Sequence, residues 1–175
     1  DHDLADSDFS GAYLFDTNFE RAILTHSNLE SAVLVFANFT RADLTGAKLS
    51  KANITEANLY AVTLRNARMA ACNLSNSNLE AAELSYATLI AANLSYAKLS
   101  KAFASNANLR SADLSHAKLD EADLRSANLA GARLVGADLH EANLMMTNLS
   151  TANLEGADLS HAIINYTKFR DANLR

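Results

Sequence analysis

The sequence contains no proline, no tryptophan and a single cysteine, and only 7% of its residues are aromatic. One cysteine excludes an intramolecular disulfide framework. No apolar run approaches the roughly 20 residues that a membrane-spanning helix requires. The net charge of −5 is too small to indicate a nucleic-acid, membrane or cationic partner. We therefore expect neither direct nucleic-acid binding nor membrane association.

The length of 175 residues suits one domain, and we expect residues 1–175 to form it. No targeting segment is visible, and the chain starts at Asp1 without an initiator methionine. A segment removed beforehand would leave no trace, so the localisation is unknown and cytoplasmic only by default.

A large apolar residue recurs at every fifth position, from Leu4 to Leu174. Of these 35 centres, 34 are Leu, Phe, Ile or Met, and only Ala104 departs. The position two residues before the centre is Ala in 26 of the 35 units, and the position directly before it is Asp or Asn in 21. No Asp, Glu, Lys or Arg occupies a centre or the small position two before it. Both positions should point inward, because an unpaired buried charge is costly.

The period of five excludes the regular alternatives. Five residues advance an α-helix by about 140° beyond a full turn, so the centres would scatter around its axis. An odd period is equally incompatible with a plain strand, whose side chains alternate. The chain must therefore turn within each unit, and the glycines indicate where. All five occupy the second position after a centre: Gly11, Gly46, Gly131, Gly136 and Gly156. The sequence predicts a solenoid of short strands with its corners at that position.

The pattern Ala-(Asp/Asn)-Leu-Xaa-Xaa, repeated without interruption from Asp3 to Arg175, resembles the pentapeptide repeat proteins. The resemblance implies an all-β fold, a right-handed quadrilateral parallel β-helix with four pentapeptides per 20-residue coil and just under nine coils. Coils spaced by about 4.8 Å would give a rod on the order of 40 Å long. Residues 20 apart would then stack on the same face.

Ala104 should leave a hole where the other units place a large side chain. Phe103 could fill this space through a local shift of register. One interpretation of the departure is tolerated drift within a long array. The other is a seam near residues 98–105, where two smaller repeat proteins were joined.

Outward apolar residues concentrate at the two ends of the predicted solenoid. We define the N-terminal apolar patch as Tyr13, Phe15, Val33, Val35 and Phe36, and the C-terminal apolar patch as Met145, Met146, Ile163 and Tyr166. Contiguous exposed apolar patches usually mark contacts, although passive cover is the alternative. The sequence shows no capping helix, and an uncapped solenoid exposes strand edges. We therefore predict a homo-oligomer formed through the solenoid ends or these patches, unless flanking segments cap the rod.

No catalytic, cofactor-binding or metal-binding residues are predicted. The sequence has no Ser-His-Asp triad, Gly-rich phosphate loop or Cys-x-x-Cys, so we expect a protein that is not an enzyme. Asp120 should stack next to His140, and Glu121, Glu141 and His161 should form a column that could hold a cation. The favoured interpretation is an ordinary charged surface, because no second shell of residues that would orient metal ligands can be inferred. Cys72 occupies an inward small position and is predicted to be inert.

The resemblance suggests one specific function, because the best-understood family members mimic DNA, bind the topoisomerase gyrase and can protect it from quinolones. A duplex as long as this rod carries roughly two dozen negative charges, at one per about 1.7 Å. The predicted face around Leu29, Leu49 and Leu109 instead carries six basic against three acidic residues. The densest acidic strip is Asp120, Glu121, Asp138, Glu141 and Asp158. A non-enzymatic scaffold of undefined protein partner is therefore favoured, with gyrase binding as the alternative.

Overall fold

The chain winds as a solenoid whose coils are held together by single-residue β-bridges. The computed structural model describes residues 2–175, and over that range it has no helix and no continuous strand. Each pentapeptide contributes one bridge residue, directly before the centre, from Asp3↔Ile23 to Asn153↔Asn173. Every bridge is parallel and joins residues 20 apart. We call residues spaced by 20 a column. The stacked columns confirm the predicted coil-forming β-fold.

Three backbone hydrogen bonds per pentapeptide connect neighbouring coils. The N–H of the centre Leu24 donates to the carbonyl of Asp43 at 2.7 Å, and the corner N–H of His26 donates to Thr45 at 2.9 Å. In the opposite direction, the N–H of Asp43 donates to Ala22 at 2.9 Å. The same triplet recurs along the chain. Coil stacking therefore satisfies the backbone groups that a buried segment must pair.

The corners are tight turns at the predicted position. The N–H of Ser27 donates to the carbonyl of Leu24 at 3.2 Å and closes a four-residue turn. Its third residue, His26, has a φ of 57°, and every corner from Asp6 to Asp171 has a positive φ. A positive φ at the third residue alone is the signature of a type II turn. The corner assignment from glycine is confirmed.

At two corners, glycine also makes room for a neighbouring side chain. A Cβ at Gly46 would lie 2.5 Å from Nδ1 of His26, and a Cβ at Gly136 would lie 2.7 Å from Nδ1 of His116. In both cases the histidine occupies the same corner one coil earlier, and its ring lies over the glycine. The corner histidines His26 and His116 are thus each followed, one coil later, by a glycine that leaves room for the ring.

The core is a continuous tube of centres and small residues. From Phe19 to Leu154 the inward hydrophobic residues are buried. At the first coils, the rings of Phe9 and Phe19 meet edge-on with centroids 6.2 Å apart, and Phe19 stacks on Phe39 at 5.0 Å. The Phe centres thus fill the tube near its start. A hydroxyl at a small position finds a partner: Oγ1 of Thr147 donates to the carbonyl of Leu124 at 2.7 Å.

The Asp and Asn residues before the centres stabilise the turns. Oδ1 of Asp8 accepts the N–H of Ser10 at 2.9 Å, and Oδ1 of Asn38 accepts the N–H of Thr40 at 3.1 Å. Some stacked asparagines also bond to each other: Nδ2 of Asn38 donates to Oδ1 of Asn18 at 3.1 Å. The recurring Asp or Asn therefore has a structural role at the turn.

Cys72 lies in the core, and only 1% of it is exposed. Burial raises the pKa of its thiol to about 12, so the reactive thiolate is scarce at neutral pH. The predicted inward position of Cys72 is confirmed.

A cavity of about 10 Å³ lies beside Ala104 inside the tube. The bridges Glu83↔Phe103 and Phe103↔Asp123 keep the normal register on both sides, and the side chain of Phe103 is 50% exposed. The prediction that Phe103 fills the space through a register shift was therefore wrong, because the inter-coil bonds hold Phe103 outward. The cavity is lined by leucine and alanine alone: Leu84, Leu89, Leu94, Leu99, Ala102, Ala104, Leu109, Leu114, Leu119, Ala122 and Leu124. Without polar partners it should stay dry.

The continuous register does not distinguish drift from a fusion, and the seam near residues 98–105 stays a prediction. The same holds for the single domain over residues 1–175. Within residues 2–175 there is also no helix that could cross a lipid bilayer.

Candidate interaction surfaces

The N-terminal apolar patch is an exposed aromatic cluster. Tyr13 is 76% exposed and stacks on Phe15, with ring centroids 6.1 Å apart and nearly parallel planes. Phe15 in turn meets Phe36 edge-on at 5.5 Å. Val33 forms a parallel β-bridge with Tyr13. Val33 and Val35 are both half-buried. The structure brings all five predicted residues together, and their role as an interface stays a prediction.

The C-terminal apolar patch is also contiguous, because its members occupy neighbouring columns on the last coils. Tyr166 is 85% exposed, Met146 lies one coil below it in the same column, and Ile163 is exposed beside them. Met145 is half-buried. Sequence reasoning missed Ile164, a centre predicted to point into the tube, which is exposed. Within the described residues no coil stacks on it, so the inward pattern alone does not bury it.

The five residues of the acidic strip lie in three adjacent columns, but most of them already have partners. Oγ of Ser100 donates to Oδ1 of Asp120 at 2.5 Å, and Lys101 lies 3.6 Å from Glu121. Glu141 lies 3.3 Å from Nε2 of His140. The lysine reduces the negative potential that the strip presents to an incoming molecule.

The last carboxylate of the strip belongs to a small polar cluster. Ser160 donates hydrogen bonds that hold the pKa of Asp158 below its ordinary value, and His140 and His161 lower it further through their charge. Nδ1 of His140 lies 2.8 Å from Oγ of Ser160, and the rings of His140 and His161 are edge-on at 5.3 Å. Among residues 2–175, no three His, Cys, Asp or Glu side chains converge closely enough to hold a metal ion.

Other exposed aromatic residues were not singled out from the sequence. Tyr96 stacks on His116 with ring centroids 4.9 Å apart, one coil before Gly136. Tyr86 and Phe103 are exposed on consecutive coils. The contact between Tyr96 and His116 could have been predicted from the sequence, because the two residues are 20 apart and therefore lie in the same column. These residues form no patch as continuous as the one around Tyr13.

The geometry defines a class of protein: a β-solenoid of stacked pentapeptides with an inert core and a variable exterior. The sequence model described as Pentapeptide repeats matches overlapping segments that together span residues 3–175. The chain belongs to the pentapeptide-repeat family, whose fold is a right-handed β-helix.

Two solved structures illustrate the likeness. HetL, a pentapeptide repeat protein involved in heterocyst differentiation regulation in the cyanobacterium Nostoc sp. strain PCC 7120, is 36% identical over 97% of this chain and 81% of its own, with a TM-score of 0.53. A trypsin-treated form of QnrB1, a plasmid-mediated fluoroquinolone resistance protein, has a TM-score of 0.79 over 92% of this chain and 87% of its own. Its identity of 19% shows the shared fold alone. No curated protein sequence matches significantly.

Proposed function

We propose that this protein is a non-enzymatic scaffold that binds a protein partner through its apolar patches. The observation that carries the proposal is the aromatic cluster of Tyr13, Phe15 and Phe36, whose rings contact one another while exposed. Aromatic side chains dominate binding energy where a partner buries them. The likeness to HetL, which is described as involved in the regulation of differentiation, supports a regulatory role.

The scaffold in this proposal is a four-sided coil of just under nine turns. The bridge spacing of 20 residues supports it, because it equals four pentapeptides. Four sides give four separate faces on one rod, and the two apolar patches then lie on different faces near opposite ends. Such a rod presents two contacts at a fixed separation, which suits a protein that joins partners or copies of itself. We propose a dimer through these patches and, by default, a cytoplasmic location.

The proposal predicts that the partner is lost when the aromatic cluster becomes polar. A Tyr13→Ser/Phe15→Ser/Phe36→Ser variant should retain its fold, because all three rings are exposed, but should capture the partner at least about tenfold more weakly. The measurement is affinity capture from cells that encode the protein, followed by mass spectrometry.

The matched control is Tyr86→Ser/Tyr96→Ser, which removes two exposed rings outside both patches. This control should capture the partner as the wild type does. Equal capture by the wild type and the Tyr13 variant would refute the proposed surface.

Gyrase binding is the second candidate, favoured by the acidic strip and by the fold shared with QnrB1. It requires that the strip act as a DNA surrogate, with Asp138 and Glu141 near its middle. If so, the protein should inhibit gyrase supercoiling at low micromolar concentration, and Asp138→Asn/Glu141→Gln should abolish the inhibition. We expect no inhibition, because Glu121 and Glu141 are already paired with positively charged or protonatable groups.

A further inference from the structure

One column of the solenoid carries two positive charges followed by two negative charges. Its members are Lys98, Lys118, Asp138 and Asp158, joined by the bridges Lys98↔Lys118, Lys118↔Asp138 and Asp138↔Asp158. We call this column the charge ladder. The two lysines and Asp158 are exposed, and Asp138 is half-buried. The other bridge columns of the described chain do not place two like charges beside two opposite ones.

The side chains of the charge ladder form no close ion pair within residues 2–175. Asp138 accepts the backbone N–H of His140, and Asp158 accepts that of Ser160. Asp158 is stabilised further by the Ser160 hydroxyl and by the charges of His140 and His161, whereas the two lysines have no such partner among the described residues. Two of its three contacts place like charges directly opposite each other, which is destabilising between neighbouring strands. An external partner with the reverse order of charges would place an opposite charge against each of the four side chains, and would so offset the repulsion within the lysine pair and within the aspartate pair.

We propose that the charge ladder is a contact surface for a second copy of this chain, packed face to face in antiparallel orientation. Reversing the ladder places Lys98 opposite Asp158 of the second copy and Lys118 opposite Asp138 of the second copy. A two-fold axis between Lys118 and Asp138 then forms each pair twice, as an isologous contact requires. A parallel arrangement would instead set lysine against lysine.

The periodicity of the fold favours a second copy over an unrelated partner. The rungs of both ladders are separated by the same inter-strand distance of about 4.8 Å, so all four pairs align without adjustment. A nucleic acid would complement only the two lysines and would be repelled by the two aspartates. The contact goes beyond the proposed partner binding, because it uses neither apolar patch.

The columns beside the ladder tolerate the same arrangement. Asp120 would face His140 of the second copy, which is favourable when the histidine is protonated. Glu121 would face Glu141 of the second copy, but each glutamate has a partner in its own chain: Lys101 at 3.6 Å and His140 at 3.3 Å.

The contact is small, and this determines how it should behave. Four rungs extend about 14 Å along the rod, so the buried area falls below that of a stable dimer. Association should therefore be weak and sensitive to salt, because exposed charges are screened over about 8 Å at physiological ionic strength. We expect the dissociation constant to rise at least about tenfold between 20 and 500 mM NaCl.

Charge reversal tests the ladder directly. The Lys98→Asp/Lys118→Asp variant carries a wholly negative ladder, and the Asp138→Lys/Asp158→Lys variant a wholly positive one. Both should fold, because other units already have Asp or Lys at this position, as at Asp8 and Lys48. Sedimentation velocity at about 1 mM protein and 20 mM NaCl, where screening extends to about 20 Å, should show that neither variant has the salt-sensitive association of the wild type. Association through the apolar patches does not depend on charge and would not weaken as NaCl is raised. Their equimolar mixture should form a heterodimer.

The control variant is Lys48→Asp/Arg68→Asp, which reverses two bridged charges in another column and should self-associate as the wild type does. A monomeric wild type under these conditions overturns the proposal, and so does a mixture that fails to form a heterodimer. Circular dichroism establishes that each variant is folded. The Tyr13→Ser/Phe15→Ser/Phe36→Ser variant should still associate through the ladder, so failure of this proposal and of the proposed function are distinguishable.

Discussion

Replacing Ala92 with aspartate should lower the free energy of unfolding by at least about 4 kcal/mol. Ala92 is 1% exposed and belongs to the core between Leu89 and Leu94. Aspartate there would either bury a charge without a partner or bury a neutral carboxyl among aliphatic side chains. It would also force extra volume into the position where the tube requires a small residue.

The adjacent residue provides a matched control. Ala91 is an exposed corner with a φ of +54°, and Asp6, Asp16 and Asp171 occupy equivalent corners. Ala91→Asp should therefore change stability by no more than about 0.5 kcal/mol. Equilibrium denaturation by guanidinium chloride compares the two variants. Similar losses at both positions would contradict the assignment of inward and outward positions.

Replacing Ala104 with leucine should raise the free energy of unfolding by about 1–3 kcal/mol. The added side chain would fill the cavity, and it would give this unit the large apolar centre that the remaining 34 units have. The reverse change, a buried leucine to alanine, typically costs 2–5 kcal/mol. The small size of the remaining cavity indicates that its neighbours have partly closed on it, which reduces the gain. For a chain of this length the midpoint of thermal unfolding should rise by several degrees.

Ala107 is the control for this substitution, because it is buried in the same region but does not line the cavity. Ala107→Leu should destabilise the protein by about 1–3 kcal/mol through overpacking. Opposite signs for the two substitutions would establish that the space at Ala104 is real. A loss of stability in Ala104→Leu would show that the coils have closed around alanine and no longer accept the larger side chain.

The sequence predicts the interior better than the exterior, for a physical reason. The positions of Leu94 and Ala92 recur every five residues, and a buried charge is so costly that their inward orientation could be deduced. Glycine at Gly46 indicated the corner because positive φ restricts the residues that fit. The exposure of Phe103 could not be deduced, because a void can close by local rearrangement or stay open, and only the inter-coil hydrogen bonds decide between them.

Side-chain contacts on the exterior depend on rotamers that no period determines. The stacking of Asp120 near His140 follows from the 20-residue register, but the bond between His140 and Ser160 depends on the orientation of the imidazole ring. Charge order along a column, by contrast, is available from the sequence once the register is known. Lys98, Lys118, Asp138 and Asp158 could have been recognised as a ladder at that stage, although their lack of ion pairs required the structure.

The 20-residue register also governs how such a chain can change its length. A duplication or deletion of 20 residues leaves the inward pattern and the alignment of every column intact. A change of five residues preserves the inward pattern equally well but advances everything beyond it by one pentapeptide, so that outward residues after the change meet a different set of neighbours. The packing of the core does not change when five residues are inserted or deleted. If the change fell between Lys118 and Asp138, however, these two residues would no longer lie in the same column. The gain or loss of a whole coil therefore changes the length of the rod without changing how its columns align. The gain or loss of a single pentapeptide changes which outward side chains are neighbours.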